Sequence, residues 1–192
     1  MSTRCQIEFM HISTREEKEG PEKGKIVKVI RRRTVYRHSD GYPESVIPDL
    51  EEFLEWNRGR NYDLEYQAAN FIYWSKKKME KQIERDLTMM GYIHKEQDVV
   101  PEKERKIQTD KLKSEMRRRM ILTGHGICNN DEFHPDISYY YEVISDSETK
   151  EITIKCYQPD HPVPKKKEDF KLINYKMLPA GPPPVPKKKR SK

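Results

Sequence analysis

Two stretches near the start of the chain alternate apolar and polar side chains, and this pattern narrows the range of folds more than any other. Cys5, Ile7 and Phe9 share one parity, and residues 26–38 are rich in β-branched side chains. A period of two is typical of strands that bury one face. The charged residues 13–25 between them include two glycines and a proline, which predicts a loop. The start of the chain therefore predicts a β-hairpin.

The middle of the chain predicts two amphipathic helices. Pro48 and the acidic residues after it mark the start of the first, because proline is tolerated at the first helical position and carboxylates favour the positive end of the dipole. Asp63 is suited to cap the second helix. Apolar side chains then recur at steps of three and four residues, at Leu64, Ala68, Phe71, Ile72, Met79 and Ile83. Residues 92–118 are strongly charged and indicate either a solvated helix or a long excursion.

The last part of the ordered chain returns to strand patterns. Residues 121–128 predict a short strand, and residues 137–144 and 151–157 predict a hairpin around the turn at 145–150. Strands and helices are thus segregated along the chain, which is typical of α+β domains. We expect a single α+β domain over residues 1–158, with a mainly antiparallel sheet of about five strands covered by two or three helices.

The C-terminal part of the chain has a different composition. Residues 159–178 carry scattered apolar side chains and predict a docking segment, whereas residues 179–192 are rich in proline and lysine and predict a disordered tail. Residues 165–192 contain ten Lys and Arg against Glu168 and Asp169, a net charge of +8. Residues 1–164 keep 28 basic and 30 acidic residues, a net charge of −2. The whole-chain charge of +6 therefore comes from residues 165–192.

The chain also lacks several features of exported proteins. It has three widely spaced cysteines, no apolar run close to the roughly 18 residues that span a bilayer, and no signal-peptide pattern at its start. We therefore expect a cytoplasmic protein with no membrane contact, or a nuclear one if the cell is eukaryotic.

Three short strings resemble a family of small uncharacterised microbial proteins from archaea, phages or viruses. They are YRHSDGYP at residues 36–43, NFIYWSK at residues 70–76 and HPDISYYYE at residues 134–142. The resemblance covers most of residues 2–157 and excludes the tail. It implies a shared fold and no activity, because none is known for these proteins.

A His-x-Asp spacing occurs twice, as His38 with Asp40 and as His134 with Asp136. Side chains two residues apart on a strand project to the same side, so each pair directs an imidazole and a carboxylate towards one point. If the two pairs meet, they predict the catalytic site of a metal-dependent hydrolase or nuclease, with Zn²⁺, Mn²⁺ or Fe²⁺ as cofactor. His125 and Cys128 could join such a metal site. The alternative needs no cofactor: these residues form turns and hydrogen-bond the loop backbone.

Basic side chains predict contacts with nucleic acid. Arg31, Arg33 and Arg37 share one parity of the second strand, and guanidinium groups suit phosphate oxygens. The tail adds a cluster at Lys187, Lys188, Lys189 and Arg190. The favoured interpretation is a non-catalytic domain that associates with nucleic acid through this tail. The proline-rich residues 182–186 suggest a protein-interaction adaptor instead. The sequence does not fix the oligomeric state, and a dimer is one possibility. No Walker loop, GxSxG or HExxH motif occurs, which is only weak evidence against an enzyme.

Overall fold

The computed structural model describes residues 3–21, 23–89, 101–129, 132–160 and 164–178. Its central feature is a sheet of six strands in the order β3-β2-β1-β4-β5-β6. The strands are β1 (Cys5–Glu16), β2 (Ile26–Arg37), β3 (His125–Cys128), β4 (Tyr139–Asp146), β5 (Ile152–Pro159) and β6 (Phe170–Leu178). All neighbouring strands are antiparallel except β1 and β4, which are parallel. The predicted α+β class with a mainly antiparallel sheet is confirmed, with six strands where about five were expected.

The N-terminal hairpin is longer than the sequence pattern indicates. β1 and β2 pair without interruption from Cys5 opposite Arg37 to Glu16 opposite Ile26. The loop predicted over residues 13–25 is therefore confined to residues 17–25. Polar residues such as Thr14 continue β1 because the long β2 strand supplies partners for their backbone amides and carbonyls, which local sequence does not reveal.

Three α-helices accompany the sheet in the part of the chain that the structure describes: α1 (Pro43–Trp56), α2 (Leu64–Met89) and α3 (Glu102–Thr123). α1 begins five residues before the predicted start, because Pro43 occupies the position at its N-terminus and Pro48 lies inside the helix. The charged segment was predicted to be either a solvated helix or a long excursion, and its residues 102–118 are helical as part of α3. The rest of that segment, residues 92–100, lies outside the described residues. No helix in the described ranges is both long and apolar enough to cross a membrane.

The main core lies between one face of the sheet and helices α1 and α2. Phe9 from β1, Phe53 from α1 and Phe71 from α2 meet at its centre, with ring centroids 5.1 to 6.1 Å apart. Their edge-to-face and tilted arrangement suits the quadrupoles of aromatic rings. The odd-numbered positions of β1 that the sequence places inward, Cys5, Ile7 and Phe9, are fully buried in this core.

A second, smaller core lies on the opposite face of the sheet. It contains Ile137, Tyr140, Tyr157 and Phe170, with Phe133 and Tyr36 packed against it. Phe170 opens β6, which pairs with β5 from Ile152 opposite Leu178 onwards. The domain boundary predicted at residue 158 therefore falls within the sheet, because residues 170–178 form an edge strand and not a separate docking segment. Residues 179–192, the predicted disordered tail, lie outside the described residues.

Candidate functional site

The clearest polar site surrounds Arg37, the last residue of β2. Its side chain is largely buried and donates hydrogen bonds from Nη1 to Asp49 Oδ2 (2.7 Å) and from Nη2 to Ser45 Oγ (3.1 Å). Its Nε donates to the carbonyl oxygen of Ser39 at 2.8 Å. Lys78 Nζ donates to the second carboxylate oxygen of Asp49 at 2.9 Å. Arg37 on β2 and Lys78 on α2 thus share the carboxylate of Asp49 on α1, and these contacts join the three elements.

His125 lies beside this network at the start of β3. Its ring packs edge-on against Phe71, with centroids 5.3 Å apart and planes at 90°. Both ring nitrogens are buried and have no hydrogen-bond partner among the described residues. Burial, and secondly the positive charge of Arg37, lower the pKa of His125 from 6.5 to about 3. The imidazole is therefore neutral at physiological pH.

Arg37, Asp49, Lys78 and His125 border one cleft of about 330 Å³. Its walls come from the loop after β2, from α1, from α2 and from the junction of α3 with β3. Trp74, which is almost completely buried, forms part of the apolar lining, and the Lys78 ammonium lies 4.9 Å from the centroid of its ring. The cleft thus combines an aromatic wall with charged groups held in place by ion pairs.

The two His-x-Asp pairs have different surroundings. Asp40 adopts a positive φ of 54° in the turn after β2 and lines the cleft. Asp136 instead forms an ion pair with Arg4, and its carboxylate also contacts Nδ1 of His134. The Tyr36 hydroxyl also donates a long hydrogen bond of 3.4 Å to Asp136. The carboxylate of Asp136 therefore has a cationic partner, Arg4, within the chain.

Tyr36 lies near the histidines of both pairs. Its ring centroid is 4.5 Å from that of His134 and 6.2 Å from that of His38. The backbone amide of His38 donates to the carbonyl of Gly124. Of the six predicted site residues, Asp40 and His125 border the cleft, and the pair His134 and Asp136 lies beside Tyr36.

The metal hypothesis gains no support from this arrangement. The described part of the chain holds no group of three or more His, Cys, Asp or Glu side chains that could bind one ion. Cys128, the sixth of the predicted ligands, lies on β3 opposite Thr34, and burial raises the pKa of its thiol. A raised pKa disfavours the thiolate that binds a metal.

Of the three β2 arginines that the sequence predicts to contact nucleic acid, Arg33 and Arg37 form ion pairs within the chain. Arg37 is held by Asp49 as described, and Arg33 Nη2 lies 3.2 Å from Glu65 of α2. Arg31 is exposed, as is its neighbour Arg32 on the other parity. The predicted basic cluster at Lys187, Lys188, Lys189 and Arg190 lies outside the described residues.

The sequence patterns did not predict a buried acidic cluster, which lies on the face of the sheet opposite the main core. Glu8 and Glu142 are register partners on the parallel strands β1 and β4, and both are nearly inaccessible to solvent. Tyr140 donates to Glu8 at 2.8 Å, Tyr157 donates to Glu142 at 2.7 Å, and Lys167 forms an ion pair with Glu142. Burial raises the pKa of Glu8. The alternation marks Glu8 as outward-facing, and only the pairing of β1 with β4 shows that it is covered.

The comparisons with known proteins add no family assignment. No protein-family model, curated protein or solved structure matches the chain. The resemblance carried by residues 36–43, 70–76 and 134–142 therefore stays a prediction.

Proposed function

We propose that the protein is a non-catalytic domain that associates with nucleic acid through its basic C-terminal segment. The observation that carries the proposal is the separation of charge: a net +8 in residues 165–192 against −2 in the rest of the chain. Flexible cations near phosphates release condensed counterions, which gives affinity without a specific binding site. The three free cysteines fit the cytoplasm as the place of this association.

Contacts made by residues 164–178 show which of their lysines are held by the domain and which are exposed to a nucleic acid. Lys167 and Lys176 form ion pairs with Glu142 and Glu51, so these two lysines hold the segment to the domain. Lys165, Lys166 and Lys171 are exposed and form no ion pair with the described residues. Of the five cations in residues 165–178, two are thus held within the chain and three remain for a polyanion, while the five cations of residues 187–192 lie outside the described residues.

The place where the tail begins supports the same proposal. β6 is one of the two edge strands of the sheet, and its last residue, Leu178, pairs with Ile152, the first residue of β5. Residues 179–192 therefore follow directly from the sheet edge, with a fixed point of attachment. A tether of this kind raises the local concentration of the folded domain along a nucleic acid.

Binding to duplex and single-stranded oligonucleotides over a salt series tests the proposal. The test variant changes four tail cations to glutamine, and the matched control changes four exposed cations of α3 to glutamine. Since each phosphate contact contributes about 0.9 to the slope of log K against log salt, the tail variant should lower the slope for duplex DNA by about 3 to 4. The tail positions are Lys187, Lys188, Lys189 and Arg190, and the control positions are Lys103, Lys106, Lys111 and Arg118.

Two outcomes would count against the proposal. If the full chain binds neither form of nucleic acid at low salt, the proposed function is wrong. If the tail and control variants weaken binding equally, the effect is general charge and not the tail. The adaptor interpretation remains a prediction, since residues 182–186 lie outside the described part, and no described contact favours the metal-dependent hydrolase.

A further inference from the structure

The cleft bounded by Arg37, Asp49 and His125 has the size of a site for one small molecule. Its volume of about 330 Å³ is at the lower end of the roughly 300 to 1,000 Å³ found for ligand pockets. A water molecule occupies about 30 Å³ of liquid, so the space greatly exceeds one bound water. Four segments of the chain form the walls, and the ion pairs of Asp49 hold three of them together. The site is thus largely built before any ligand arrives.

His125 provides the observation that points to a ligand. A neutral imidazole has one N–H donor and one acceptor nitrogen, and buried polar atoms in folded proteins nearly always have partners. Neither ring nitrogen of His125 has one among the described residues, although both are buried. Because His125 is one of the residues that line the cleft, a molecule there that reaches its ring can supply the hydrogen bonds that the chain does not.

Unused hydrogen-bond donors line the cleft at Arg37, Lys78 and Ser45, and the Asp40 carboxylate adds acceptors. Both carboxylate oxygens of Asp49 already accept hydrogen bonds, one from Arg37 and one from Lys78. Arg37 uses three of its five N–H groups in the contacts described, and Lys78 contacts two carboxylates with its three. The nearby Ser45 hydroxyl accepts from Arg37 and keeps its own hydrogen for donation. The ligand that complements Arg37, Lys78 and Ser45 carries several acceptor oxygens, and a hydroxyl or amine on the same molecule would complement Asp40.

We propose that this cleft binds a small organic anion, whose carboxylate or phosphate oxygens accept hydrogen bonds from His125, Arg37 and Lys78. Charge-assisted hydrogen bonds of this kind are the strong ones in proteins. Trp74 supplies an apolar surface for the remainder of the molecule. The proposal does not depend on the association with nucleic acid, because it uses none of the tail residues.

Nuclear magnetic resonance of the full chain, labelled with ¹⁵N in histidine, tests the proposal directly. The probes are inorganic phosphate, citrate and adenosine 5′-monophosphate at millimolar concentration, each titrated separately. We expect the ring nitrogens of His125 to shift with saturation for at least one probe. A 5′-phosphorylated oligonucleotide forms a separate arm, which distinguishes a free small molecule from the phosphate end of a nucleic acid.

Matched variants separate a binding role from a structural one. His125→Leu should weaken binding of that probe about tenfold or more, because it removes a hydrogen bond to a charged group. His134→Leu removes a histidine outside the cleft and should leave the affinity unchanged. His125→Gln retains a donor and an acceptor and should bind with intermediate affinity. Thermal unfolding of each variant verifies that it is folded, and His125→Gln replaces His125→Leu in the comparison if the leucine variant is not.

Three results would overturn the proposal. In the first, no probe shifts the His125 resonances, and the cleft then holds solvent only. In the second, His125→Leu binds as tightly as the unaltered chain. In the third, only the phosphorylated oligonucleotide shifts His125, which would make the cleft part of a nucleic-acid contact.

Discussion

Replacing His125 with leucine should remove a large part of the acid sensitivity of the folded domain. Burial and the charge of Arg37 lower the pKa of His125 to about 3, against 6.5 in the unfolded chain. Between these two values the unfolded chain binds a proton that the folded one does not. Stability from this group is therefore fully present above pH 6.5 and is lost as the pH falls towards 3.

The magnitude follows from the size of the shift. Each pKa unit corresponds to about 1.4 kcal/mol, so at pH 4.5 the unfolded state gains about 3 kcal/mol relative to neutral pH from this histidine alone. Besides Arg37, the groups that act on the imidazole are Asp49, which opposes the shift, and Lys76, which adds to it. Folding also shifts the pKa values of His11 and Glu8. Both residues are present in the unaltered chain and in His125→Leu, so their contributions cancel when the stabilities of the two are compared.

Urea unfolding between pH 7.5 and 4.5 measures the effect. The free energy of unfolding should fall less steeply with pH in His125→Leu, so that the variant becomes more stable than the unaltered chain by up to about 3 kcal/mol relative to their difference at neutral pH. His134→Leu is the control for the loss of any imidazole. Parallel pH curves for the unaltered chain and His125→Leu would refute the reasoning, because they would mean that His125 protonates equally in the folded and unfolded states.

Two further substitutions test the packing. Gly41→Ala should destabilise the domain by about 1 to 3 kcal/mol in urea unfolding, because the added Cβ would lie 2.8 Å from the backbone of the strand-flanking residue Arg4, whereas Gly126→Ala meets nothing within 4 Å and should be close to neutral. Tyr157→Phe should cost about 1.5 to 3 kcal/mol, because it removes the hydrogen bond to the buried Glu142 carboxylate; an unchanged unfolding midpoint would show that the bond contributes nothing.

Local patterns predicted the elements best where one face of an element is buried. Alternation placed β1, β2, β4 and β5 within a few residues, because a period of two directly reflects a half-buried strand. β6 was missed because most of its side chains are exposed, and its place in the sheet depends on hydrogen bonds to β5. An edge strand of this kind has no strong pattern of its own. The start of α1 was misplaced because Pro43 and Pro48 are both compatible with a first helical turn.

The candidate site was predictable only in part. His125 and Asp40 were selected as reactive residue types, and both border the cleft. The predicted reason, a metal site shared with His134 and Asp136, gains no support from the described residues. Arg37 was selected for phosphate binding, yet it is held by Asp49, which no short motif connects with it. A pair of buried charges twelve residues apart leaves no local signature.

The sequence by itself determined the fold class and the separation of charge, because periodicity and composition report burial and solvation residue by residue. Only the tertiary structure decided which residues meet. The parallel pairing of β1 with β4 brings Glu8 beside Glu142, and the packing of α1 and α2 against β2 and β3 brings Asp49 and Lys78 to Arg37 and His125. These contacts join residues far apart in the chain, and their energies depend on register and packing that no local segment encodes.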